Sequence, residues 1–554
     1  VDGADEARSL ASLLCELKNR AGVSYAALAR ATFTTSSSLH RYCRGESVPR
    51  DYAVVAALAK ECGATPHELT ELLRLWTAAT AGPQDASATA PGQEPAAAQE
   101  RPAPARPAAD PQRPGARVLA GAAVCLVMLL LLSSAGTPPP SASPGAPAAP
   151  STRAASAGPG DRWTWAPYPV APSVFGVTMN SNTGTMPSFH VGSVRFWDSG
   201  TRWADLEPLR GTFDWANLDR LVAAAQRTHR DSLFTFGGTP SWAAPRGHKS
   251  LYHDGARTAP PDRLADWDAF VAALAARYRG RISAYELWDT VNDRHFYSGS
   301  VHTMADMVRR ASRIIKRTDP DAILVCPSMG HLHEAAGLRF LRDFATADGY
   351  QTCDVGGVKT LQRPAERPPE TLTAELAGVN RVLHNAGAGV RLWITGPDFD
   401  VTYQPGLTGR PARDYAVRFF LMALYAMDQG VQRAYFYNWG GTKIPVVLQV
   451  EGEPPSPAAL AVDRLQRWLA GARIHGCGHG SAAGLPGNVY TCTFLGPGRG
   501  EPFAIRWTDT GTAAMPAGPG AYRLYRLDGS ATRLTPGAGL RLTGAPVLIN
   551  GTTA

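Results

Sequence analysis

The sequence predicts a multidomain chain: a small all-α domain, a single transmembrane helix, and a (β/α)8 barrel followed by a small C-terminal β-domain. Three observations carry this expectation. Apolar residues at helical spacing fill residues 10–76. An uncharged run at 118–136 lies between two stretches of Ala, Pro and small polar residues. From residue 174 onward, eight short apolar runs alternate with helical stretches. The implied units are 1–77 (helical), 78–117 (disordered linker), 118–136 (membrane span), 137–165 (second linker), 166–455 (barrel) and 456–554 (helix plus β-domain).

At 554 residues the chain is too long for one ordinary domain, and a hydrophobic fraction of 44% with 18% charged residues is globular. The formal charge of +8 does not point to a polyanionic partner, because residues 1–80 hold nine Lys/Arg against nine Asp/Glu. Only the local stretch 30–50 is basic: Arg30, Arg41, Arg44 and Arg50 face Glu46 alone.

In the helical domain, Leu10, Leu13, Leu14 and Leu17 share one helix face. Gly22-Val23-Ser24 breaks that helix, and Ser24 is placed to cap the next, Tyr25–Ala31. A further helix begins at Ser36-Ser37-Ser38, small and polar at its N-terminal end and basic toward Arg44. Helices around Ala53–Glu61 and Pro66–Leu75 follow. The pattern LKNRAGVSYAALARAT…SSSLHRYCRGESVP resembles the Cro/repressor-type (XRE) helix-turn-helix regulators. The resemblance implies DNA as partner, with Ser36, Ser37, Ser38 and His40 toward base edges and Arg41 and Arg44 toward phosphates. A helical domain that binds another protein is the competing reading.

The run Val118–Leu132, extended by Ser133–Gly136, reaches a bilayer's apolar thickness at roughly 1.5 Å per residue. Arg101, Arg106, Arg113 and Arg117 precede it and Arg153 follows, so the positive-inside rule places the N-terminus in the cytoplasm. The expected location is a single-pass membrane protein with an extracytoplasmic barrel. Cys326, Cys353, Cys477 and Cys492 form an even set beyond the span. Cys477 with Cys492 fits a hairpin, while Cys326 and Cys353 are either a pair or two buried thiols. No cysteine or histidine spacing suggests a metal site, and no cofactor is implied.

The candidate barrel strands are Val174–Val177, Val194–Trp197, Ser232–Phe236, Ile282–Trp288, Ile323–Cys326, Val355–Val358, Val390–Thr395 and Arg433–Tyr437. Helices are expected at Leu218–Gln226, Trp267–Tyr278, Met304–Lys316 and Tyr415–Met427. In the tail, a helix at Leu460–Leu469 precedes strands at Asn488–Phe494, Phe503–Trp507, Ala521–Leu527 and Ala545–Ile549. Strict alternation of strand and helix implies parallel strands closed into a barrel, whose C-terminal strand ends carry the functional residues.

Those strand ends read Arg195-Phe196-Trp197-Asp198, Thr239-Pro240-Ser241-Trp242, Tyr285-Glu286-Leu287-Trp288 and, after the eighth strand, Trp439. They resemble retaining glycoside hydrolases of the large barrel clan, in particular the xylosidase/iduronidase-like branch. That chemistry uses two carboxyl groups about 5 Å apart. The resemblance puts the acid/base Glu after strand four and the nucleophilic Glu at the end of strand seven. Here the positions hold Thr290 and Gly396. Threonine has no acidic proton near neutral pH and glycine has no side chain, so no catalytic residue of the standard mechanism is present. A shifted pair, Asp289 with Asp398, is the alternative, with Asp293 and Asp400 also nearby.

Binding can outlast catalysis. Trp197, Trp242, Trp288, Tyr437 and Trp439 offer aromatic faces for sugar stacking, and Arg195, Asp198 and Asn292 offer hydroxyl partners. The competing reading places some of these rings in the barrel core. The sequence therefore predicts a membrane-anchored transcriptional regulator with an inactive, carbohydrate-binding barrel, active as a homodimer in one version. A surface glycosidase using a non-standard carboxylate pair is the second reading.

Overall fold

The computed structural model describes residues 2–25, 28, 36–49, 52–80 and 162–551, apart from 253, 363–365, 400, 402–403, 442–444 and 499. The chain divides into two compact units, Val1–Ser141 and Ala142–Ala554.

In the first unit, helices span Asp2–Ala21, Ser36–Cys43, Tyr52–Glu61 and Pro66–Thr80. The leucine stripe does what its spacing dictates: Leu10, Leu14 and Leu17 are buried against Leu28, Leu39, Val55, Leu58, Leu72 and Leu75. The Arg20 guanidinium grips Glu68 through two bonds of 2.6 and 2.9 Å, which ties the first helix to the last. Trp76 donates its indole N–H to the Pro49 carbonyl at 2.7 Å. Most of the expected helix Tyr25–Ala31 lies outside the described residues.

The expected membrane span, 118–136, and the linker 78–117 beyond residue 80 also lie outside them. Among the described residues no helix is long and apolar enough to cross a membrane. The longest, Asp2–Ala21, carries Asp2, Asp5, Glu6, Arg8, Glu16, Lys18 and Arg20. This finding corrects two expectations, the transmembrane helix in the fold and the single-pass membrane location.

The second unit begins with strand β1 (Arg162–Pro169). Its first half had read as linker, because RWTWAPYP continues a Pro-rich composition; its partner lies some three hundred residues away. Eight parallel strands then close a barrel in chain order: β2 (Phe175–Met179), β3 (Ser193–Phe196), β4 (Asp231–Thr235), β5 (Ala284–Glu286), β6 (Ile323–Met329), β7 (Val355–Thr360), β8 (Arg391–Pro397) and β9 (Val431–Trp439). Each overlaps its expected run, since strands covered on both faces read as continuous apolar stretches. The expected helices appear at Ala216–Arg227, Leu264–Tyr278, Val301–Thr318 and Gly409–Tyr425. Two more, Ala335–Thr346 and Leu372–Asn385, extend the alternation, while β2 and β3 are joined without a helix.

Beside the barrel lies a seven-stranded antiparallel sheet in which β1 pairs with β10 (Arg473–His479) and β10 with β11 (Val489–Leu495). Cys477 and Cys492 are cross-strand partners on β10 and β11 and form a disulfide. Cys326 on β6 is bridged to Cys353, which settles the alternative of two buried thiols. Trp163 and Trp507 of this sheet share one apolar core with barrel residues. Trp507 also donates to Glu370 at 2.6 Å, and Arg418 of the last barrel helix bonds the same carboxylate.

Close backbone approach shapes the barrel entry. A Cβ at Gly192 would overlap the Pro172 carbonyl. Gly192→Ala should therefore cost about 1–3 kcal/mol through forced backbone movement. Urea denaturation of the full chain would check this, with an unchanged midpoint contradicting the packing described.

Candidate functional site

Several buried side chains at the C-terminal ends of the barrel strands are charged, and charge in an apolar interior survives only when neutralised. Arg195 on β3 donates to Glu286 on β5 at 2.7 Å and to Asp289, just beyond it, at 2.5 Å. Lys359 on β7 reaches Asp289 at 2.6 Å. Thr235 on β4 and Thr395 on β8 donate to the two Glu286 oxygens at 2.8 and 2.9 Å. All four charged groups are buried, and two cations balance two anions. Burial alone would raise the Asp289 carboxyl, but Lys359 and Arg195 outweigh it and hold it below the usual carboxylate range. Burial and the neighbouring Arg195 push the Lys359 ammonium down, against the pull of Asp289 and Glu286.

The two positions where the resemblance puts glutamates border this quartet. Thr290 sits at φ 44° and donates its hydroxyl to Asp289 at 3.0 Å. Gly396 sits at φ 145°, and a Cβ there would lie 3.3 Å from the Lys359 ammonium. A side chain at this position would thus begin against the end of a lysine that is paired with Asp289. Asp289 is an anion clamped by two cations, whereas a general acid needs a raised pKa. Asp398, just beyond β8, is also buried. It accepts from the His331 backbone at 2.7 Å and lies 3.6 Å from the His333 imidazole. The two aspartates of the alternative pair are engaged with different partners.

Of the eight residues expected to bind sugar, four are enclosed. Arg195 is spent on the quartet. Trp288 donates to the Phe296 carbonyl at 3.2 Å and packs on Trp267 and Tyr297. Trp439 donates to Gln449 at 2.9 Å. Trp197 donates to the Tyr252 hydroxyl at 3.0 Å. The other four are half-buried: Asp198, Trp242, Asn292 and Tyr437. Tyr437 donates its hydroxyl to Asp198 at 2.6 Å. Trp242 bonds the Glu207 carbonyl at 2.9 Å beneath the Arg210 guanidinium. Asn292 braces Gly330 through both ends of its amide, at 2.6 and 2.8 Å.

Asn292 also lines a cleft of about 1000 Å3 formed by the loops after β4, β5 and β6. Lys249, Asp293, Arg294, His295 and His331 border it. The hydrogen bond to Asp293 raises His331 to about 9, so this imidazole is cationic at neutral pH. Burial alone would raise Asp293, but bonds from His331 and from His295 hold it low.

In the first unit, Ser36–Cys43 is a helix whose first turn is Ser36, Ser37 and Ser38. His40, Arg41 and Arg44 are exposed. The His40 ring lies 4.0 Å from that of Tyr25, and Arg44 is 3.7 Å from Glu46.

Sequence reasoning missed Glu286, Lys359, Thr235 and Thr395 as a set. Glu286 and Lys359, each inside an otherwise apolar strand, were the available signal, because each needs the other's neighbourhood to be buried at all.

Residues 9–72 match the family model described as a helix-turn-helix domain. No curated protein matches the chain. Among solved structures, a family 39 glycoside hydrolase from the gut symbiont Bacteroides cellulosilyticus WH2 is similar at 16% identity. Its TM-score is 0.52, covering 69% of this chain and 81% of that one. A glucosidase from Croceicoccus marinus, also at 16% identity, gives TM-score 0.48 with 70% and 98% covered. A GH30 endoxylanase from Clostridium papyrosolvens C71 gives 0.47 at 15%, with 71% and 98% covered. The likeness to the first shows the fold: this unit has a barrel of the kind found in glycoside hydrolases.

Replacing Arg195 by Met leaves two buried carboxylates short of a cation and should cost about 3–5 kcal/mol, read as a fall in the urea midpoint. His331 should titrate near pH 9 by NMR, and Asp293→Asn should bring it back toward about 6.5. Because the folded pKa is the raised one, the pair's stabilisation is complete below about pH 6.5 and is lost as pH rises through 9.

Proposed function

We propose that this chain is a DNA-binding regulator whose barrel keeps a glycoside-hydrolase fold, has lost hydrolysis, and binds a carbohydrate at its C-terminal face. The observation that carries the loss of hydrolysis is the neutral quartet of Arg195, Glu286, Asp289 and Lys359 between Thr290 and Gly396. A retaining hydrolase needs one carboxyl group that gives up a proton and one free to attack. Asp289, pinned by two cations, suits neither role. The reading that uses Asp289 with Asp398 is weaker for that reason.

Carbohydrate binding is supported by what remains accessible. Tyr437 and Trp242 present partly open rings, against which the C–H faces of a sugar can stack. Asn292 lines the cleft, and the half-buried Asp198 lies beside Tyr437; both carry polar atoms suited to hydroxyl groups. Arg195, Trp288 and Trp439 act beneath these residues as support.

DNA binding is supported by the helix-turn-helix match and by the helix Ser36–Cys43, with its small polar start and the exposed Arg41 and Arg44. Ser36, Ser37, Ser38 and His40 would meet base edges, and the two arginines phosphates. A pair of chains on two half-sites follows the symmetry usual for such readers.

Two outcomes are expected. The full chain should leave a panel of aryl glycosides unhydrolysed, and turnover abolished by Asp289→Ala or Asp398→Ala would overturn the loss of hydrolysis. In fluorescence anisotropy with duplex DNA, Arg41→Ala and Arg44→Ala should each lower the slope of log K against log salt by about 0.9. An unchanged slope in both would remove those arginines from the phosphate contacts.

A further inference from the structure

Three consecutive connections of the barrel, those after β6, β7 and β8, each deliver one metal-ligating group to a single point. His333 follows β6, Glu375 lies on the helix Leu372–Asn385 after β7, and Asp398 follows β8. The His333 imidazole nitrogen and one oxygen of each carboxylate all lie within 4.8 Å of one another. We propose that His333 Nδ1, Glu375 Oε1 and Asp398 Oδ2 bind one divalent transition-metal ion, zinc foremost, at the mouth of the barrel.

The details favour a cation over a chance cluster. Each carboxylate has its other oxygen anchored by a backbone N–H. Leu361 donates to Glu375 Oε2 at 3.1 Å and His331 to Asp398 Oδ1 at 2.7 Å. That anchoring turns Oε1 and Oδ2 toward the shared point. Glu375 Oε1 is buried and has no hydrogen-bond partner among the described residues. A buried carboxylate oxygen left this way is costly, and more so beside a second carboxylate. A cation relieves both penalties.

His333 is oriented for the same task. Its Nε2 lies 3.4 Å from Glu334 and its Nδ1 3.6 Å from Asp398 Oδ2. With Nε2 toward Glu334, Nδ1 is the ring nitrogen on the side of Asp398 Oδ2 and would be the metal ligand, in the carboxylate–histidine–metal arrangement of many metal sites. Two ligand atoms on one tetrahedral zinc are about 3.3 Å apart, so the His333–Asp398 spacing requires little adjustment. One imidazole and two carboxylates suit zinc or manganese better than calcium or magnesium, which take oxygen ligands alone. Three protein ligands leave a position open to water or to a ligand oxygen. The His333 side chain is about a quarter exposed, which gives an ion a route in. This site stands independently of the carbohydrate reading.

The test uses the full chain, stripped with a chelator and returned to zinc or manganese, with bound metal counted after gel filtration and affinity measured by calorimetry. The wild type should retain one ion that His333→Ala and Glu375→Gln each weaken by about tenfold or more. Zinc held by the thiols of Cys15, Cys43 or Cys62 is separated by alkylation, which leaves the proposed site intact. His333→Ala removes a partly exposed side chain, so it keeps the test open even if Glu375→Gln fails to fold. The proposal is overturned if the wild type retains neither ion after alkylation, or if His333→Ala binds it with unchanged affinity.

Discussion

The constraint on which the barrel depends is charge neutrality in its interior. Arg195, Glu286, Asp289 and Lys359 are buried together, and none of them could be buried alone. The quartet ties β3, β5 and β7 through side chains, and the hydroxyls of Thr235 and Thr395 extend it to β4 and β8. It also sets the surroundings of the strand ends: the Lys359 ammonium lies 3.3 Å from where a Cβ at position 396 would sit, and Asp289 pairs with two cations.

The fold was largely legible because strands buried on both faces read as mostly apolar runs, even where Arg195, Glu286 and Lys359 interrupt β3, β5 and β7. β1 escaped because its first half, Arg162–Trp165, falls in the expected linker and its partner β10 lies far along the chain. The site was harder to read. Trp288 and Trp439 looked like sugar platforms, yet their indole N–H groups find the Phe296 carbonyl and Gln449, which lets both rings sink into the core. Such partners come from distant segments and leave no local trace. The same holds for His333, Glu375 and Asp398, which follow three different strands and form no spacing motif.

The two units solve different problems with different means. The helical unit is held by a leucine stripe and the Arg20–Glu68 clasp, and it displays Arg41 and Arg44 at its surface. The barrel unit adds two disulfides and an apolar core shared with its neighbouring sheet. Disulfides persist under oxidising conditions, whereas Cys15, Cys43 and Cys62 of the helical unit are free thiols.

The central claim is that the barrel's interior carboxylates are structural. Activated 2-deoxy-2-fluoro glycosides trap a retaining nucleophile as a stable sugar ester, so the intact mass of the full chain after incubation with a panel of them tests this claim directly. The account predicts an unchanged mass. A one-sugar adduct mapped to Asp289, Asp398 or Glu286 would contradict it.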